Sequence, residues 1–228
     1  PSGILGISSM GMICAVRNSN GSVYYALMQT YGDDIDCACM PILAINDGPF
    51  LTLVALGASG LADIPIMSLV AALVPIIAGM ILGNLDNKVT EFFGPVGDAI
   101  IPFTGFSLGA GIDLANVLKG GVSGIVLGLI TIFIGGGFIY LCDHFIGRRP
   151  GYAAWAVATT AGNAVAVPAV IGTADPAWAE FVGTATVQVA ASTVLSALLV
   201  PFIVSWWAKK FGCPKFPKEA KAEKASGK

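Results

Sequence analysis

The chain has 228 residues, of which 55% are hydrophobic and 11% charged, with a formal net charge of −2 and a mean hydropathy of +0.79. Charged residues make up about a quarter of a typical soluble domain, so this composition excludes an ordinary soluble protein and indicates one that lies in a lipid bilayer. The sequence has no basic, aromatic-rich face for nucleic acid. Its five cysteines are scattered, so neither a disulfide framework nor a metal site is expected. No cofactor is predicted.

The apolar stretches of the sequence are long enough to cross a membrane, which takes about 20 residues as a helix. Seven such stretches follow one another, at residues 4–31, 38–61, 65–84, 95–115, 121–142, 151–174 and 179–207. The sequence therefore predicts an all-α, polytopic membrane protein with about seven transmembrane segments. Pairs of glycines four residues apart, Gly79 with Gly83 and Gly124 with Gly128, predict faces where helices pack closely.

Two of these stretches contain a polar or glycine-rich interruption. The first is broken near residues 17–21, Arg-Asn-Ser-Asn-Gly, and the sixth near residues 161–168, Ala-Gly-Asn-Ala-Val-Ala-Val-Pro. In lipid, an interrupted helix persists only where protein or a water-filled cavity satisfies the freed backbone groups. Paired interruptions are typical of secondary transporters that bind their substrate between inverted repeats.

The distribution of Lys and Arg predicts the orientation of the chain. Residues 209–228 form a Lys-rich segment with little to bury, which predicts a disordered cytoplasmic tail. Counting the predicted membrane spans back from this tail places the loops at residues 32–36 and 148–149 on the same, cytoplasmic side. A broken helix and its following helix then occur twice with opposite topology. Residues 1–62 are accordingly interpreted as the last two helices of one five-helix repeat and residues 63–208 as a second repeat, with an N-terminal truncation.

Several short segments resemble the 2-keto-3-deoxygluconate permease family. The similarity covers nearly the whole chain outside the tail. It is carried by residues 17–32, Asp47-Gly48-Pro49, 82–86, 101–103, Ile112-Asp113-Leu114, Ala161-Gly162 and 164–166.

This resemblance implies proton-coupled uptake of a sugar acid across a bacterial inner membrane. It also implies a ten-helix architecture, similar to that of bile-acid symporters and sodium/proton antiporters, with two broken helices that cross near the midplane. The expected partners are a small organic anion, protons or sodium ions, and the lipid bilayer. The oligomeric state stays open.

Ionisable residues within spans are costly and mark functional candidates. Arg17 presents a planar fork of donors suited to a substrate carboxylate. Asp47, in the next span, is the candidate proton acceptor, because desolvation raises the pKa of a carboxyl group. The alternative for both is a structural salt bridge. Asp113 is a second candidate for proton coupling, and it fits a gate residue or a solvated helix cap equally well.

Amide side chains near the interruptions suit a polyhydroxy acid, because each offers both donors and an acceptor. Asn18, Asn20 and Asn163 are the candidates, and their alternative role is to satisfy backbone groups at the breaks. Gln188 in the last span is a further substrate-binding candidate, or a residue that only bonds another helix.

Two alternatives to a working carrier follow from the sequence. One is a truncated or split membrane subunit that acts as a structural or interaction protein. The other is an enzyme, since residues 105–109 match a Gly-x-Ser-x-Gly pattern. That pattern lacks its strand–turn–helix context and a histidine base nearby, so the sequence predicts no enzymatic activity.

Overall fold

The computed structural model describes residues 3–46, 49–60, 62–93, 95–96 and 114–217. Among these residues the secondary structure is helical, with one isolated β-bridge between Cys213 and Phe216. The α-helices are α1 Ser9–Arg17, α2 Gly21–Tyr31, α3 Asp34–Ala38, α4 Met40–Asn46, α5 Phe50–Ala58, α6 Ile66–Leu85, α7 87–93, α8 Leu114–Leu129, α9 Gly136–Phe145, α10 Tyr152–Val157, α11 Val167–Ala174 and α12 Val182–Phe211. A π-helical segment, Ile130–Gly135, joins α8 to α9. The predicted all-α class is confirmed.

Three helical stretches in the described part of the chain are long and apolar enough to cross a membrane. They are Ile66–Leu85, Gly121–Phe145 and Pro176–Phe211. They correspond to the third, fifth and seventh predicted spans, while the first, second and sixth are divided into shorter helices. The fourth predicted span, 95–115, lies almost entirely outside the described residues. The count of about seven spans and the inverted repeat therefore stay predictions.

Both predicted helix interruptions are present, one of them at a different position. The first break covers residues 18–20, between α1 and α2, as predicted. The second begins earlier than predicted. Helix α10 ends at Val157, residues 158–162 are irregular, and Asn163–Ala166 is already a 3-10 turn that leads into α11. Pro168 does not break this second half-helix, because it occupies the first turn of α11, where a missing N–H is tolerated.

Helix α12 packs closely against α8. A Cβ atom at Gly124 would lie 2.5 Å from the Cβ of Ala191, and one at Gly128 would lie 2.9 Å from the Cδ2 of Leu195. Any larger side chain would push the two helices apart, so this predicted small-residue face is confirmed. At Gly79 the described residues leave nothing within 4 Å of an added Cβ.

Two apolar clusters lie on either side of the helix breaks. One contains Met10, Leu53, Ile171 and Val189, from α1, α5, α11 and the first half of α12. The other contains Met28, Tyr152, Val200 and Val204, from α2, α10 and the second half of α12. Helix α12 has 30 residues, about 45 Å at 1.5 Å per residue, so it reaches both clusters. Between the clusters lies a layer of polar groups.

The start of the predicted tail is described. Helix α12 continues to Phe211, and the turn that follows places Lys215 where its Nζ donates to the backbone oxygen of Gln29 at 2.7 Å. Residues 218–228 lie outside the described part of the chain.

Candidate functional site

The two broken helices meet at their interruptions, where they are joined by direct hydrogen bonds, and this meeting point is called the crossing below. The backbone N–H of Ala161 donates to the backbone oxygen of Asn18 at 2.7 Å. The backbone N–H of Asn20 donates to Oγ1 of Thr159 at 2.9 Å. Groups that an uninterrupted helix would satisfy internally are thus satisfied by the other break, which is the condition for irregular backbone at membrane depth.

Hydroxyl groups on α12 form hydrogen bonds with the second helix break. Oγ of Ser196 accepts from the backbone N–H of Thr160 at 2.9 Å, and Oγ of Ser192 lies 2.8 Å from Oγ1 of Thr160. Oγ1 of Thr160 also donates to the backbone oxygen of Ala15 at 3.2 Å. All three hydroxyl side chains are buried. These hydroxyl groups therefore join the second break to α12 and to α1 in one hydrogen-bond network.

Arg17 ends α1 at the edge of the crossing. Its Nη2 donates to Oδ1 of Asn46 at 3.0 Å, and Nδ2 of Asn46 lies 3.4 Å from Oγ of Ser19. Nε of Arg17 is buried and has no hydrogen-bond partner among the described residues. A buried donor without a partner is rare in native structures, and it leaves the guanidinium able to donate to an oxygen atom of a ligand.

The three predicted asparagines lie together at the crossing. Asn18 is completely buried, and its Nδ2 lies 3.4 Å from Oδ1 of Asn163, which is exposed. Oδ1 of Asn20 accepts from the backbone N–H of Val23 at 3.1 Å and so caps the start of α2. For Asn20 the structure therefore contains the backbone role that was the alternative to substrate binding.

Gln188 lies away from the second break, against the start of α1. Its Oε1 accepts from both the backbone N–H and Oγ of Ser8, at 3.0 Å each. Its Nε2 donates to the backbone oxygen of Gly6 at 2.8 Å and to Oγ of Ser123 at 3.1 Å. These four bonds use the full capacity of the amide, which matches the alternative role of bonding other helices.

Asp47 and Asp113, the two predicted proton-coupling residues, lie outside the described residues. The described residues contain no cluster of three or more potential metal ligands.

A second polar network, which the sequence did not single out, joins α3 to the loop before α10. Nη2 of Arg149 donates to Oδ1 of Asp36 at 2.5 Å and to the hydroxyl of Tyr152 at 3.1 Å. The hydroxyl of Tyr152 donates to Oδ2 of Asp36 at 2.7 Å. The hydroxyl of Tyr24 donates to the backbone oxygen of Asp36 at 3.0 Å. The network thus joins α3, which follows α2, to the first residue of α10 and to Tyr24 near the start of α2.

The fold and the crossing define a class: a helical membrane protein in which two interrupted helices meet at their breaks and satisfy part of each other's backbone. Within it, the chain belongs to the 2-keto-3-deoxygluconate permease family, whose family model matches residues 1–213. The family is one of permeases, not of enzymes. The predicted membership is confirmed.

Curated relatives agree with this membership. The chain is 49% identical over 208 residues to 2-keto-3-deoxygluconate permease 1 of Salmonella typhimurium, which covers 91% of this chain and 65% of that protein. It is 38% identical to the 2-keto-3-deoxygluconate permease of Xanthomonas euvesicatoria, with 92% and 66% covered. For that of Bacillus subtilis the identity is 36%, with 90% and 62% covered. The chain thus spans slightly less than two thirds of these relatives. No solved structure matches it.

Proposed function

We propose that this protein is a secondary active transporter that takes up 2-keto-3-deoxygluconate, or a related sugar acid, together with protons. The proposed location is the bacterial inner membrane, with several membrane crossings and a cytoplasmic C-terminus. This orientation follows from the excess of Lys in residues 209–228.

The observation that carries the proposal is the crossing itself, where Ala161 N–H donates to the backbone oxygen of Asn18. Broken helices satisfy part of their freed backbone groups in this way, and in secondary transporters the remaining groups typically face the substrate site. Membership in a family of permeases agrees with a transport role and gives no support to the alternative of a structural subunit.

The residues at the crossing fit a hydroxylated carboxylate. Arg17 binds the carboxylate of the substrate through the donors that Asn46 does not use. Asn18 and Asn163 offer amide groups to its hydroxyls, while Asn20 keeps the start of α2 in place. Gln188 acts through α1, by fixing that helix against α12.

Asp47 is proposed to carry the coupled proton, and Asp113 is proposed to share in the coupling, each from its place in an apolar stretch of the sequence. Rigid-body movement of the crossed helices against the remaining helices would expose the site to each side in turn. The inverted five-helix repeat provides the symmetry for the two end states.

The test is uptake of radiolabelled 2-keto-3-deoxygluconate by proteoliposomes that contain this chain. A pH gradient and a sodium gradient are imposed in separate experiments, and Arg17→Gln is measured beside the parent. The matched control is Lys88→Gln, which removes an exposed cation from α7. We expect uptake driven by the pH gradient, loss of uptake in Arg17→Gln and unchanged uptake in Lys88→Gln.

Each other outcome corrects a defined part of the proposal. Uptake that requires sodium would overturn proton coupling and retain the carrier. Equal uptake by Arg17→Gln and the parent would overturn the role of Arg17. If a folded parent takes up no sugar acid under either gradient, the chain does not transport by itself, and the structural alternative replaces the proposal.

A further inference from the structure

A cavity of about 400 Å³ lies between α2, α4, α9 and α10. One end of it is at Val157, the last residue before the second helix break. The other end is at Arg149 and Asp36, beyond the far end of α10. The six residues of α10 separate these ends by about 8 Å. The lining of the cavity therefore runs along α10, from its last residue before the second break to the loop that is predicted to be cytoplasmic.

Arg149 makes its side-chain hydrogen bonds to the described part of the protein through only one nitrogen of its guanidinium group. Both of its side-chain hydrogen bonds, to Asp36 and to Tyr152, leave from Nη2. In the described part of the chain, Nη1 and Nε make no hydrogen bond. An arginine often binds a carboxylate through two parallel N–H donors. The edge of the Arg149 guanidinium formed by Nη1 and Nε is therefore suited to a second carboxylate. The side chain is 31% exposed, whereas that of Asp36 is 1% exposed.

Asp143 contributes an acceptor to the same cavity. It is one of the lining residues, and its Oδ2 is buried without a hydrogen-bond partner among the described residues. A carboxylate oxygen in this position accepts a hydroxyl group well and repels an anion. Apart from these polar groups the walls are mainly Ile, Leu, Val and Ala side chains. Mostly apolar walls with a few placed polar groups are typical of small-molecule sites.

We propose that this cavity is a second binding station for the transported hydroxy acid, between the crossing and the predicted cytoplasmic side. The carboxylate of the ligand binds the free edge of Arg149, and one of its hydroxyl groups donates to Oδ2 of Asp143. Asp36 competes with the ligand for Arg149, which weakens binding and allows release. The inference rests on the proposed transport function, because it takes its ligand from that function.

Native cysteines report on the cavity. Cys39 and Cys142 line it, whereas Cys37 does not. The experiment measures the alkylation rate of each cysteine by N-ethylmaleimide in the reconstituted full chain, read by mass spectrometry of its peptides. It is done with 2-keto-3-deoxygluconate and with glucitol, which has hydroxyl groups and no carboxylate. We expect the sugar acid, and not glucitol, to slow alkylation of Cys142 and Cys39 and to leave Cys37 unchanged.

Three variants assign the protection to the cavity. Asp36→Asn removes the charge that competes for Arg149 and keeps an oxygen for Tyr152. The concentration of sugar acid that gives half-maximal protection should therefore fall by about tenfold, the effect of losing one hydrogen bond to a charged group. Arg149→Gln should abolish protection. Arg17→Gln, which disables the crossing site, should retain it.

Protection that survives Arg149→Gln, or that disappears in Arg17→Gln, would overturn the second station and assign the effect to the crossing. If Arg149→Gln does not fold, Asp36→Asn decides alone, and an unchanged half-protecting concentration overturns the proposal. Normal uptake without any protection of Cys142 rejects the station and leaves the transporter intact. A folded parent without uptake rejects the transporter first.

Discussion

Two arginines in this protein differ in their hydrogen-bond partner, which is a neutral amide for Arg17 and a carboxylate for Arg149. Arg17 at the crossing donates to the neutral amide of Asn46, and its Nε has no partner among the described residues. Arg149 donates to the buried carboxylate of Asp36. A cation beside a neutral group keeps its charge available for a ligand, whereas a cation beside a carboxylate is largely compensated. The comparison separates a binding arginine from one that also stabilises the fold.

The largest expected effect is on stability, at Arg149. Arg149→Gln leaves the carboxylate of Asp36 buried without its cation, which costs about 3–5 kcal/mol. Thermal unfolding in detergent should show this loss as a lower midpoint. The double variant Asp36→Asn, Arg149→Gln removes both charges and should recover most of the loss. Equal midpoints for the single and double variants would mean that the ion pair does not hold the loop.

Arg17→Gln should show the reverse pattern. No described carboxylate loses its partner, so the unfolding midpoint should change little. Initial uptake at low substrate concentration should fall by about 100-fold, because a desolvated charged contact to the ligand is worth about 2–5 kcal/mol. A large loss of stability with normal uptake per folded molecule would make the two arginines equivalent and break the comparison.

Thr160→Val tests whether neutral hydrogen bonds hold the crossing beside Arg17. The change keeps the shape of the side chain and removes the hydroxyl that bonds the backbone of Ala15 and Oγ of Ser192. It should lower the free energy of unfolding by about 1–3 kcal/mol. Thr30→Val is the matched control, since that exposed hydroxyl bonds only the backbone of its own helix, and it should stay within about 0.5 kcal/mol.

The smallest expected effect is at Asn46. Asn46→Ala releases Nη2 of Arg17 without adding or removing charge. Uptake should fall by about fivefold, through a weaker apparent affinity, because a positioning hydrogen bond contributes about 1 kcal/mol. A concentration series of initial rates measures this, with the maximal rate as the internal reference. A loss as large as that of Arg17→Gln would show that Asn46 contacts the ligand itself.

The crossing was predictable only in part. The first break is predictable because residues 17–21 are polar and end in glycine within a long apolar stretch; the cap that Asn20 provides to α2 is visible only in the structure. The second break was placed too late, since Gly162 and Asn163 are strong signals of irregular structure, while the Ala-Thr-Thr sequence where the break begins is not. What interrupts the helix there is the set of bonds to Asn18 and Ser196, and these partners are distant in sequence.

The same limit applies to the second network. Asp36 and Arg149 are 113 positions apart, and no local pattern pairs them. The orientation predicted from the Lys-rich tail does place the loops of Asp36 and Arg149 on one side of the membrane, and the contact between these two residues agrees with it. The sequence shows Gln188 as a polar residue in an apolar helix, and its substrate-binding role stays a prediction. Which helix end it bonds depends on the packing of α1 against α12, which periodicity does not specify.

Helix α12 has Gln188, Ser192 and Ser196 at intervals of four residues, and all three side chains are buried on one face. Each of them bonds a different part of the broken helices, namely the start of α1, the hydroxyl of Thr160 and the backbone N–H of Thr160. Over evolutionary time such a row restricts what each position can become. Both serines are fully buried and bonded to Thr160, so loss of either hydroxyl leaves a buried partner unsatisfied, and a lineage that lost the whole row would have to rebuild the broken helices with it.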